Sequence, residues 1–188
     1  MILSKNEIDE LMKLDPPIVE DMINPDTQIQ VNGCELTVDR IFAFAGAGSG
    51  SGAGTSTGVS TGAGAIAFEN SERVLSECTE LTFDGDGWIY LPTGSYKIVS
   101  REIVHIPKDA IAIARPRSSL LRSAVSVETA VWDAGYEGKS ECLLIVFNEA
   151  GFNLKRGARV VQLLFMGLAS GTEGYAGVYQ GYLTQLPT

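Results

Sequence analysis

Residues 87–114 read Gly87-Trp-Ile-Tyr-Leu-Pro-Thr-Gly-Ser-Tyr-Lys-Ile-Val-Ser-Arg-Glu-Ile-Val-His-Ile-Pro-Lys-Asp-Ala-Ile-Ala-Ile-Ala114. Apolar and β-branched residues gather there in four short runs, 87–91, 95–99, 102–106 and 109–114, with turn-forming or polar residues between most of them. Short runs of this kind, bounded by Gly, Pro, Asn or Asp, read as β-strands. The same texture continues upstream in 27–31 (TQIQV) and 35–44 (ELTVDRIFAF), and downstream in 125–131, 140–147 and 158–166. That spacing predicts a mainly β barrel or sandwich. No αβαβ rhythm is present, which excludes a Rossmann or TIM architecture. One short helix is expected, roughly 4–13. Ser4 and Glu7 have capping-box spacing, Leu3 and Ile8 are placed as a staple, and Pro16-Pro17 stops the run.

The 188 residues suit one domain, 45% hydrophobic and 20% charged, enough for a packed core. No apolar run reaches the ~18–20 residues that cross a bilayer, and the polar start lacks the order of a signal peptide. Fourteen Lys and Arg stand against twenty-three Asp and Glu, a net charge of −9. Such a surface repels nucleic-acid backbones and anionic membranes, so neither is expected as a partner. Cys34, Cys78 and Cys142 have no zinc-ligand spacing and His105 is the sole histidine, so reduced thiols in a cytoplasmic protein are expected. From about 45 to 65 the chain is almost wholly Gly, Ala, Ser and Thr. It has neither the lysine nor the following helix of a phosphate-cradling loop. It is expected to be a flexible surface loop within the single domain 1–188.

Chemistry concentrates in two segments. Arg115, Arg117 and Arg122 fall within eight residues, interleaved with Ser118 and Ser119. Fork-shaped donors beside short hydroxyls suit an oligophosphate, and equally suit surface ion pairs. In Trp-Asp-Ala-Gly-Tyr-Glu-Gly (132–138), Asp133 and Tyr136 bring a carboxylate and a ring near one ligand, or simply make a turn. A phosphate clamp, a water-orienting carboxylate and a stacking aromatic together describe nucleotide hydrolysis.

Five segments in order resemble the dUTPase/dCTP-deaminase superfamily: PTGSYKIV (92–99), EIVHIP (102–107), RPRSSLLR (115–122), DAGYEG (133–138) and GARVVQLLF (157–165). The opening Met-Ile-Leu-Ser resembles the deaminase-like branch, and VETAVWDAGY (127–136) the archaeal dUTPases within it. The resemblance implies a distorted jelly roll of the dUTPase-like, β-clip kind, assembled as a homotrimer with active sites between subunits. It implies Mg²⁺-dependent cleavage of dUTP to dUMP and pyrophosphate, which keeps uracil out of DNA and supplies dUMP for thymidylate synthesis. By position it makes Asp133 the residue that deprotonates the attacking water and Tyr136 the ring under the deoxyribose. Backbone groups within 127–131, Thr129 and Ala130 foremost, would read the base edge. Arg117, Ser118, Ser119, Arg122 and Gln162 would hold the phosphates.

Glu35 stands where the family's first motif usually has aspartate; it either touches a metal-bound water or makes an interface ion pair. The end of the chain, YAGVYQGY (175–182), resembles the deaminase branch, with Val178 at a position often lysine there. Tyr179, Gln180 and Gln185 either close over the ligand or belong to a tail docked on the barrel. Deaminase members carry a proton-shuttling glutamate ten residues past the motif aspartate, and that position is Leu143. Cytosine deamination is therefore expected to be lost, unless Glu141, on the same strand face, replaces it. A bifunctional deaminase and dUTPase, and a trimeric nucleotide-binding regulator without catalysis, are the alternatives. His105, Trp88 and Phe165 read as structural residues.

Overall fold

A computed structural model describes residues 1–45, 62–182 and 184. Most of the Gly-rich tract (46–61) and Gln185 lie outside the described residues. Strands dominate, as the alternation requires. The first helix, α1 (Lys5–Leu11), is held at its start by Glu7, whose Oε2 accepts from the Ser4 N–H at 2.8 Å and its hydroxyl at 2.7 Å. Then come β1 (Val19–Glu20), α2 (Pro25–Gln28), β2 (Ile29–Gln30) and β3 (Gly33–Phe44). After the Gly-rich tract follow β4 (Cys78–Leu81), β5 (Trp88–Leu91), β6 (Gly94–His105), β7 (Ala110–Pro116) and α3 (Ser118–Arg122). The last elements are β8 (Val125–Glu128), β9 (Glu137–Val146), β10 (Phe152–Lys155) and β11 (Arg159–Gly167).

The main sheet runs β7-β11-β3-β6-β9-β8, with β1 added to β6 and β2 and β4 to β3; β5 and β10 form a separate pair. Beyond β8 the chain returns to β7, where Ala112 and Trp132 exchange two backbone hydrogen bonds of 2.9 Å. That contact nearly closes the sheet into a barrel, and the fold is the expected mainly β, jelly-roll-like one. Phe165, Leu163, Leu36, Ile41, Val104 and Leu144 fill the interior.

Three local expectations differ from the structure. Thr27 and Gln28 are helical, because Asn24 caps them through Thr27 N–H and Pro25 takes the first helical position. Runs 95–99 and 102–106 are one strand, β6, with an irregularity: Ser100, Arg101 and Glu102 face a single residue of β9. The strand expected over 125–131 ends at Glu128. β4 and β10 were not apparent from their sequences.

Candidate active site

β7 and α3 deliver the basic segment. Pro116 ends the strand, Arg117 caps the helix, and the Arg117 N–H donates to the Val160 carbonyl at 3.0 Å. The Arg117 side chain is fixed: its Nε donates to Glu35 Oε1 at 2.6 Å. The other oxygen of Glu35 accepts from Arg159 Nη1 at 2.6 Å, and Arg159 also donates to the Thr27 carbonyl. Glu35 is buried between them. Both of these pairs lie within one chain, whereas an interface pair was expected. Ser118, Ser119 and Arg122 are exposed on α3. Gln162 lies directly across from Arg115 on one side and Glu35 on the other, so the three form a cross-strand row beside the clamp.

Asp133 and Tyr136 lie elsewhere, in a cavity of about 400 Å³ that Ala130, Val131 and Glu141 also line. The turn that carries them is pinned to the end of β6: Ile106 N–H donates to the Tyr136 carbonyl and Gly135 N–H to the Ile106 carbonyl. Asp133 is exposed and, among the described residues, its carboxylate has no hydrogen-bond partner, as a base awaiting water requires. Tyr136 donates its hydroxyl to the Lys139 carbonyl at 2.9 Å and meets Tyr175 edge-on at 5.6 Å. Burial pushes its phenol up to about 12, so the ring is neutral. Past Thr129 the chain leaves β9. Among the described residues the backbone groups of Ala130 and Val131 make no backbone hydrogen bond, which leaves them open to a ligand.

The tail folds back over this cavity. Tyr182 bridges Gly138, Gly181 N–H donates to the Glu137 carbonyl, and the Gln180 amide ties Glu137 N–H to the Gly135 carbonyl. Tyr179 and Tyr182 reach the cavity wall, and the Arg73 guanidinium sits 5.3 Å from the Tyr179 ring. In this state the Gln180 side chain serves the docking of the tail.

The two clusters do not meet within one chain. Trp132 pairs with Ala112, five residues before Arg117, which at ~3.3 Å per residue is about 16 Å of strand. None of Arg117, Ser118, Ser119, Arg122 or Gln162 lines the cavity of Asp133.

Several groups were not singled out from the sequence. Arg159 shares Glu35, although only its place in 157–165 had been noted. Lys97 pairs at 2.8 Å with Glu141, which lines the cavity, whereas neither Lys97 nor Leu143 is among the lining residues. His105, read as a structural residue, has Glu20 at 2.9 Å from its Nε2. Glu102 is wholly buried, and burial raises its carboxyl's pKa against hydrogen bonds from Thr37 and Gln28 that lower it. Among the described residues no three His, Cys, Asp or Glu gather as a metal cage, and no helix is long and apolar enough to cross a membrane.

A family model described as dCTP deaminase-like matches residues 2–168. A probable deoxyuridine 5′-triphosphate nucleotidohydrolase of Methanosarcina mazei is 48% identical over 180 residues, 95% of this chain and 96% of that one. Its counterpart by name in Archaeoglobus fulgidus is 41% identical over 180 residues, 96% of each chain. A crystal structure of 2′-deoxycytidine 5′-triphosphate deaminase from Agrobacterium tumefaciens superposes with a TM-score of 0.60 at 20% identity. The superposition takes in 87% of this chain and 46% of that one, so this chain spans less than half of its length; the likeness is one of fold.

Proposed function

This chain belongs to the dCTP deaminase-like family, and from that premise we propose that it is a dUTP diphosphatase, cleaving dUTP to dUMP and pyrophosphate. The observation that carries the reading is the cavity in which an unbonded Asp133 carboxylate, the Tyr136 ring and the open backbone of Ala130 and Val131 converge. Relatives of 41–48% identity over nearly the whole chain, named for that activity, support it.

In this mechanism backbone groups of Thr129 and Ala130 hydrogen-bond the edge of uracil, and Tyr136 packs against the deoxyribose, leaving no room for a 2′-hydroxyl. Asp133 takes a proton from a water as its oxygen bonds to the α-phosphorus. The bond from that phosphorus to the α,β-bridging oxygen breaks, and pyrophosphate departs with the electron pair. Arg117, Ser118, Ser119 and Arg122 hold the phosphates, with Gln162 beside them. Since Arg117 stands about 16 Å of strand away from Asp133 in the same chain and none of the five lines its cavity, they complete the site of a neighbour in a homotrimer. Tyr179 and Gln180 close the nucleoside end.

Mg²⁺ held chiefly by phosphates and water would supply charge neutralisation at the leaving pyrophosphate. The donor set fits that mode better than a protein cage. Glu35, with both oxygens already accepting from guanidinium groups, would meet the ion through water. The reading places the chain in the cytoplasm, lowering dUTP before it enters DNA and supplying dUMP to thymidylate synthesis.

One observation favours added deamination: Glu141 lines the same cavity. Its carboxylate is already engaged by Lys97 Nζ at 2.8 Å, so it is not free to serve a cytosine ring. The test is product analysis with Mg²⁺ and, separately, dUTP, dCTP, dTTP and UTP, resolved by ion-exchange chromatography. dUMP and pyrophosphate from dUTP alone are expected. Deoxyuridine nucleotides from dCTP would give the bifunctional reading, and no change in any substrate the regulatory one.

A further inference from the structure

All six residues with buried polar or charged side chains among the described residues, Gln28, Glu35, Thr37, Ser100, Glu102 and Ser140, are linked by hydrogen bonds, in part through the backbone groups of Ser140, Glu102 and Glu35. Burying a polar group is unfavourable unless it is bonded, so a core that confines such groups to one connected path points to a task there. The path starts next to Asp133: Trp132 Nε1 donates to Ser140 Oγ, Ser140 N–H to Ser100 Oγ, and Ser100 Oγ to the Glu102 carbonyl. It ends at the arginine clamp.

Glu102 is its centre. The strand alternation of β6 points it inward with Ile98, Ser100 and Val104. There its Oε1 accepts from Gln28 Nε2 at 2.7 Å and Thr37 Oγ1 at 2.8 Å, and its Oε2 from Thr37 N–H at 2.8 Å. Gln28 Nε2 also donates to the Glu35 carbonyl at 2.9 Å. Residues 35–37 of β3 are thereby held from beneath on both sides of Leu36, and Glu35 in turn orients Arg117 and Arg159.

We infer that Glu102 is a positioning residue for triphosphate binding: it fixes the Glu35 backbone, and through Glu35 it sets the Arg117 fork in advance of the ligand. Engaged by its Nε alone, Arg117 keeps its two terminal amino groups for phosphate oxygens. This rests on Arg117 being the phosphate ligand assigned under the proposed function.

The test is a mutant cycle with two readouts: binding of Mg²⁺–tripolyphosphate by titration calorimetry, and KM and kcat for dUTP. Glu102→Gln sets an amide N–H₂ against donors, so binding weakens and KM rises about tenfold, the scale of one lost bond to a charged group. kcat stays within about twofold, since Asp133 is untouched. In an Arg117→Ala background the same change adds nothing beyond about twofold, because both act through one contact. Thr37→Val, which deletes only the hydroxyl bond, shows a smaller effect with the same non-additivity. It carries the test should Glu102→Gln fail to fold. An additive effect, a fall in kcat with KM unchanged, or unaltered binding overturns the inference. If Arg117→Ala itself leaves tripolyphosphate binding unchanged, the phosphate assignment falls and this inference with it. If only the Glu102 and Thr37 variants are silent, this inference fails alone.

Discussion

Gly135 lies two residues past Asp133 with φ +80°, and a Cβ there would sit 2.8 Å from Gly174 Cα and 3.1 Å from Tyr175 N. Both are backbone atoms of the docked tail and cannot swing aside. Gly135→Ala is therefore expected to do two separable things. The left-handed conformation costs about 1 kcal/mol for any residue with a Cβ. The clash also drives the tail off, losing the Tyr175 N–H to Ala134 carbonyl bond and the Tyr136–Tyr175 edge contact. Those two losses come to about 2 kcal/mol, or about thirtyfold faster amide exchange in peptides spanning 171–182. Gly181→Ala is the control, with φ +69° and nothing within 4 Å of its Cβ. It carries the conformational cost without the collision. Gly181→Ala should melt about 2–4 °C below the parent and Gly135→Ala about 6–12 °C below it, while only Gly135→Ala exposes the Tyr175 amide and raises KM for dUTP. Equal protection of that amide in Gly135→Ala and the parent would refute the account, as would equal loss in the two variants.

Asp133→Asn should lower turnover about a thousandfold while a non-hydrolysable dUTP analogue binds within about threefold of normal, read by titration calorimetry; near-normal turnover would remove Asp133 from its role. Arg122→Ala should weaken analogue binding about tenfold or more, and unchanged affinity would show that Arg122 faces solvent in the assembly. Burial pushes the Cys34 and Cys142 thiols up to about 12, so Ellman's reagent at pH 8 should modify Cys78 alone in native protein and all three thiols after denaturation. Those two thiols and Tyr136 have folded pKa values above their ordinary ones. Their share of stability is full below pH 9 for the thiols and below pH 10 for Tyr136, and is lost as pH rises toward 12. Melting temperature should decline through that window, less steeply in Tyr136→Phe above pH 10.

Period-two alternation carried the barrel strands because each has one face inside, and it is strongest in β7 and β9. It misled where another local rule competed. Asn24-Pro25 made a helical turn of Thr27 and Gln28, and the irregularity in β6 hid a continuous strand behind Ser-Arg-Glu. Residue chemistry marked Asp133 and Tyr136 as neighbours, since four positions in a turn remain close. It could not tell that Arg117 lies a strand's length away, because separation in space depends on pairing between β7, β11 and β3. Glu102 was invisible for a different reason. A glutamate on an alternating strand looks like a solvent-facing residue unless Gln28 and Thr37, far off in sequence, are known to meet it. Lys97 and Glu141 were hidden likewise, as partners across β6 and β9.

Under the proposed function, a chain of net charge −9 that binds a tetra-anion has to solve the problem locally. At physiological salt the opposing field is screened beyond about 8 Å, so nearby groups decide. Two guanidinium groups there share one carboxylate, which at first looks like a waste of positive charge. The alternative is worse: unpaired arginines sample many rotamers, and ordering each on binding costs about 0.5–1.5 kcal/mol. Glu35 removes that disorder beforehand and still leaves the trio with a net positive charge. The carboxylate in turn needs a fixed backbone, and the barrel core supplies it through Gln28 and Glu102. A polar path through that core satisfies both demands, linking a preset fork at one end to the turn of Asp133 at the other.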